Sequence, residues 1–246
     1  MADGTKQSCL IMGAGVGLGS SLARSFAAEG LAVCLSRRER NLPELEALAA
    51  EIESTGGEAH AFGVDARDED AVIALINQIE RDIGPLEIVV FNIGANVRFP
   101  IRDTTTRVYR KVWEMAAFAG FLTGREAARV MVPRGQGTII FTGATASVRG
   151  SAGFSAFASA KHALRALAQS MARELGPEGV HVAHTIVDGL MDGKFARENF
   201  ADVAERAEQG KILAPDDVAA AYVNLWKQPR SAWTHELDLR PWTESF

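Results

Sequence analysis

Four glycines fall within seven residues near the start of the chain, in Gly13-Ala14-Gly15-Val16-Gly17-Leu18-Gly19. The run before them, Cys9-Leu10-Ile11-Met12, has the length and composition of a buried strand. The run after them, from Ser20 to Glu29, carries apolar residues at helical spacing and stops at Gly30. A strand, a glycine-rich turn and a helix in that order present backbone N–H groups and a positive helix end to a pyrophosphate. Glycine is required because a Cβ would block the turn or the approach of the phosphate. Other chemistry is poorly supported. No cysteine–histidine spacing suggests a metal site, and the sharp Gly-x-Ser-x-Gly turn of a serine hydrolase is missing. His181 and His184 lie in a strand-like run, where packing is the expected role. Thr142, Thr145, Ser147 and Ser155 are loop hydroxyls, a class that ordinarily satisfies backbone groups.

The elements that must hold such a turn alternate along the chain. Strand-like runs at 31–35, 59–64, 88–91, 138–141, 180–187 and 236–239 are separated by helical runs at 43–55, 70–83, 107–132, 155–175 and from Pro215 onward. Regular alternation implies a parallel sheet covered on both faces. The expected class is therefore α/β, a doubly wound parallel sheet of about seven strands, in one domain spanning 1–246. The segment 188–213 departs from the pattern and reads either as a mobile flap over a ligand site or as an ordinary connecting helix. With 246 residues, 47% of them hydrophobic, the chain can bury one good core. A net charge of −5 argues against nucleic acid as a partner. No apolar run is long enough to span a bilayer, and Met1 to Gln7 lack the apolar centre of a secretory leader. The expectation is a soluble cytoplasmic protein. Cys9 and Cys34 fall in strand-like runs that can be neighbours, but buried, inert thiols are the preferred reading.

These residues resemble the short-chain dehydrogenase/reductase family over essentially the whole chain. The glycine turn matches that family's spacing at Gly13, Gly17 and Gly19, with Leu18 opening the helix and Met12 where threonine is usual. Asp65, in Gly63-Val64-Asp65, resembles the aspartate that holds the adenine amino group. Phe91-Asn92-Ile93-Gly94 keeps Asn92 and Gly94 of the family's Asn-Asn-Ala-Gly signature. The resemblance implies a Rossmann-type fold, a nicotinamide dinucleotide cofactor, and a homodimer or homotetramer built on the long helices. At the end of the second strand, Ser36-Arg37-Arg38 offers guanidinium donors and no carboxylate, so NADP(H) is expected over NAD(H).

The family's catalytic tyrosine, serine and asparagine are not matched. Lys161 matches the family's lysine, which the resemblance implies is catalytic and binds the nicotinamide ribose, but Phe157 stands four residues before it where the tyrosine belongs, and Ala144 occupies the serine position. Ala116 occupies the asparagine position when the long helix is aligned on Gly120-Phe121. The alternative tyrosine place, seven residues before the lysine, is Phe154. Phenylalanine neither donates nor accepts a proton. Asp188, before Gly189, is a candidate acid or base, with an ion pair to Lys161 the preferred role. Three functions follow as expectations. The first is an NADP(H)-dependent oxidoreductase acting on a small carbonyl or alcohol with an atypical proton relay. The second is an NADP(H)-binding pseudoenzyme, and the third a structural oligomer without cofactor.

Overall fold

The structure, a computed structural model, describes residues 6–244. Met1 to Thr5, part of the stretch read for a leader, lie outside the described residues, as do Ser245 and Phe246. In chain order the elements are β1 (Ser8–Met12), α1 (Leu18–Ala28), β2 (Ala32–Arg37), α2 (Leu42–Ser54), β3 (Glu58–Gly63), α3 (Glu69–Asp82) and β4 (Leu86–Phe91). There follow α4 (Thr106–Trp113), α5 (Ala119–Met131), β5 (Gly137–Thr142), α6 (Ser155–Leu175) and β6 (Val180–Val187). The short helices α7 (Lys194–Asn199) and α8 (Val203–Glu208), then α9 (Pro215–Trp226) and β7 (Glu236–Leu239), complete the chain.

All seven strands join one parallel sheet in the order β3-β2-β1-β4-β5-β6-β7. The chain winds outward from β1 through β3, returns to β4 beside β1, and winds outward the other way. The direction reverses between β1 and β4, which is where open α/β sheets hold ligands at the carboxyl ends of their strands. The expected doubly wound sheet is thus found, with β7 as an edge strand against β6.

Alternation along each strand feeds two cores. Ile11, Val33 and Val90 meet Leu22 and Phe26 of α1, Leu45 of α2 and Tyr222 of α9 on one face. Leu10, Val89 and Ile139 meet Ile76 of α3, Ala127 of α5 and Leu164 of α6 on the other. Cys9 and Cys34 belong to opposite faces of adjacent strands, since Cys9 is paired with Val33 and Leu10 with Cys34. Both are buried free thiols, and burial raises the pKa of each, so neither is reactive.

Local signals fix the helix starts. Asp68 accepts the Ala71 N–H at the head of α3, Thr105 does the same for Val108 at α4, and Pro215 with Asp216 and Asp217 opens α9. The long helical region expected over 107–132 is instead three pieces. A π-type turn over Glu114–Phe118 separates α4 from α5 and buries Ala116 and Ala117. One residue is inserted into the helical ladder there, a local distortion that hydrophobic periodicity does not reveal. Residues 188–213 hold α7 and α8 around a small cluster of Ala196, Val203 and Ile212, tied to the sheet side by a bridge from Met191 to Leu213.

Candidate functional site

The glycine turn is built by close backbone packing. Gly13 has φ +105°, and a Cβ placed there would lie 2.8 Å from the Asn92 carbonyl oxygen. A Cβ on Gly19 would lie 2.6 Å from the Gly13 oxygen. Gly17, at φ +97°, and Gly94 have no atom within 4 Å of that position. The first pair therefore serves the packing of the turn, and the second pair leaves open space in front of α1. Asn92 braces the arrangement: its Nδ2 donates to Gly13 O at 3.1 Å and its backbone N–H donates to Met12 O at 2.8 Å.

A cleft of about 380 Å³ opens at this point, with Gly13, Leu18, Gly19, Asn92 and Gly94 in its wall. Ser36, Arg37, Arg38 and Asp65 line its far end, so every cofactor-site residue expected from the sequence except Gly17 and Lys161 contributes to one wall. Ser36 is buried, and among the described residues its Oγ has no hydrogen-bond partner. The Arg37 guanidinium rests beside Gly15 and is ion-paired with Glu44 of α2 at 2.5 Å. Asp65 accepts from Arg67 through the backbone N–H at 3.1 Å and through Nε at 2.9 Å. That pairing lowers the carboxyl pKa below its usual value. Asn41, Arg67 and Met115 also line the cleft and were missed in the sequence. Arg67 had a usable signal, because an arginine two residues after a turn aspartate sits within reach of its carboxylate.

Lys161 lies beyond the cleft, 2% exposed on α6. Its Nζ donates to Thr142 O at 2.8 Å and Ile93 O at 3.2 Å, the ends of β5 and β4. Burial pulls its pKa down to about 8. Its Nζ is 5.9 Å from the Phe157 ring centroid. Phe157 and Ala116 belong to one apolar cluster with Ala95, Val112 and Ala160, and Ala144 and Phe154 pack against it. The three positions read as having lost polar groups are thus neighbours in a single dry patch.

The expected ion pair between Asp188 and Lys161 is not formed. Asp188 accepts a hydrogen bond from Thr145 Oγ1, and its Oδ2 lies 3.7 Å from Arg240 Nη1. The arginine comes from just past β7, a partner too distant in sequence to be read from spacing. Two further buried networks stand behind Lys161. Tyr222 is fully buried, its hydroxyl bonded to Thr142 Oγ1 at 2.9 Å and to Thr185 Oγ1, with a pKa pushed up to about 12 by burial. His184 Nδ1 is 3.1 Å from Glu236, which also pairs with Arg165, and burial pulls the imidazole down to about 4.

The geometry places an open glycine floor, a cationic far end and a buried ammonium along one edge of the sheet. The family model described as short chain dehydrogenase matches residues 7–204. The chain belongs to the short-chain dehydrogenase family. A crystal structure of a short-chain dehydrogenase from Rhodopseudomonas palustris is 50% identical, with a TM-score of 0.83 over 96% of this chain and 99% of that one. Gluconate 5-dehydrogenase of Gluconobacter oxydans is 32% identical over 77% of this chain and 71% of its own. A metagenomic short-chain oxidoreductase in complex with NADP shares the fold at a TM-score of 0.80 and 23% identity, covering 96% and 97% of the two chains. Membership makes the protein oxidoreductase-like and the sheet a Rossmann-type sheet. Among the described residues no helix is long and apolar enough to cross a membrane, and no group of metal-ligating side chains is found.

Proposed function

We propose that the protein binds NADP(H) in the glycine cleft and acts as an oxidoreductase on a small carbonyl or alcohol, with Lys161 moving the proton. The open floor at Gly94, between a turn that a Cβ would break and an unpartnered Ser36 hydroxyl, fits a pyrophosphate and an adenosine ribose. Arg37 and Arg38, with no carboxylate at Ser36, favour the 2′-phosphate form. Glu44 neutralises part of Arg37, so Arg38 carries more of that preference. When bound, the dinucleotide supplies or accepts the hydride.

The rest of the chemistry belongs to this chain. The observation that carries the reading is Lys161. An ammonium has three donors, and two are held by Thr142 O and Ile93 O, which leaves one N–H to aim at a substrate oxygen. A pKa near 8 keeps that proton in place at neutral pH while making it easier to release than an ordinary lysine's. The Phe157 ring, 5.9 Å from the Lys161 Nζ, and the apolar cluster it belongs to restrict water around it.

The test is calorimetric titration with NADPH and NADH on nucleotide-free protein, followed by turnover on simple ketones. Tighter binding of NADPH, with turnover abolished in Lys161→Ala and NADPH still bound, is the expected outcome. Binding of neither dinucleotide overturns the reading. A second reading is favoured by the clustering of Ala116, Ala144 and Phe157, which removes polar groups where a proton relay would run. In that reading the protein binds NADP(H) as a sensor or interaction protein. NADPH binding without turnover on any carbonyl or alcohol selects it.

A further inference from the structure

Two loops meet at the carboxyl edge of the sheet, on the substrate side of Lys161. The segment following β4 and the segment following β5 pair through the Phe99 N–H, which donates to Gly153 O at 2.8 Å. Gly153 has φ +85°, and a Cβ there would come within 3.0 Å of Arg98 Cγ, so the glycine makes room for the arginine stem. The Arg98 guanidinium lies 5.9 Å from the centroid of the Phe154 ring. Thr104 Oγ1 closes the adjoining turn by donating to Pro100 O at 3.0 Å, and Arg102 projects from that turn.

Between the loops is a hollow of about 540 Å³ lined by Arg98, Pro100, Ile101, Arg102, Ser151 and Ser155. Among the described residues neither guanidinium has a carboxylate partner, and the Ser155 Oγ is buried without a hydrogen-bond partner. Two unpaired cations and a free hydroxyl over apolar Pro100 and Ile101 match a carboxylate or phosphate attached to an apolar body.

We propose that the ligand of this hollow is an amphiphilic anion. Its carboxylate or phosphate sits between Arg98 and Arg102, and its apolar body rests on Pro100 and Ile101.

Calorimetry on the full chain with octanoate, octyl phosphate and octanol tests it without requiring turnover. At least one of the two anions binds tenfold or more tightly than octanol, and the stronger of the two names the anion. The double variant Arg98→Gln/Arg102→Gln erases that preference while NADPH affinity stays unchanged. Both arginines are exposed, so the variant retains the fold. Octanol binding as tightly as both anions, or a preference that survives in the double variant, overturns the proposal. A preserved anion preference in protein that binds no dinucleotide supports the anion site and overturns the oxidoreductase reading instead.

Discussion

Lys161→Met is the most informative substitution, because it separates the cost of burying an ammonium from the value of its two hydrogen bonds. Burial lowers the lysine pKa from 10.5 to about 8. At 1.36 kcal/mol for each pH unit, the charged form therefore costs the folded state about 3 kcal/mol below pH 8. Between pH 8 and 10.5 the unfolded chain binds this proton and the folded chain has lost it, so stability rises with pH across that window. Below pH 8 the penalty is fully present, and above 10.5 it is gone. Methionine has no such titration. It forfeits the bonds to Thr142 O and Ile93 O, worth about 1–3 kcal/mol together, and this loss is the same at every pH. Near pH 7 the two effects roughly offset and the variant is about as stable as the parent. Integrated over the window, the parent gains about 2 kcal/mol on the variant between pH 7 and 9.5. Urea unfolding of nucleotide-free protein, followed by tryptophan fluorescence at both pH values, measures this change in the gap. Every other titrating group is common to both proteins and cancels. A gap that is the same at pH 7 and pH 9.5 refutes the reasoning, since Lys161 would then titrate normally in the folded state.

Two further outcomes follow from the buried networks. Tyr222→Phe removes a hydroxyl that serves both Thr142 and Thr185; Thr142 Oγ1 loses its partner and Thr185 Oγ1 keeps only a long bond to Phe141 O at 3.5 Å. A loss of about 2 kcal/mol is expected, seen in thermal unfolding as a fall in Tm of about 5 °C. The combined change Ala144→Ser and Phe157→Tyr places two hydroxyls in the dry patch beside Lys161; under the proposed oxidoreductase reading, new or increased NADPH-dependent ketone reduction is the expected result, read in a steady-state assay.

The sheet was legible because a parallel strand buried on both faces is a short apolar run, as in β1, β2, β4, β5 and β6, and such runs recur at helical intervals. The glycine turn was legible because its geometry admits no Cβ at Gly13 or Gly19. The π-type turn at Glu114–Phe118 was not, because the flanking helical periodicity continues through it. Asp188 shows the second limit. Its partners, Thr145 and Arg240, are 43 and 52 residues away along the chain, brought to it by the pairing of β6 with β5 on one side and β7 on the other. A lysine nearby in the expected site was the plausible partner from sequence, but Lys161 turns its donors to the carbonyls at the ends of two strands. Glu44 was invisible to the cofactor argument for the same reason: it belongs to α2, and only the turn after β2 brings it to Arg37.

The dry cluster around Phe157 also sets what a new polar group would meet there. A tyrosine hydroxyl introduced at 157 enters a patch formed with Ala95, Ala116 and Ala146 and backed by Ala144, none of whose side chains can accept or donate a hydrogen bond. The Lys161 ammonium, 5.9 Å from the Phe157 ring centroid, is the polar group beside that patch. A serine at 144 instead stands next to Ser147, whose Oγ accepts the Ala144 N–H at 3.1 Å. The two hydroxyls thus draw on different partners, and the patch tolerates polarity only along its rim, where those partners stand.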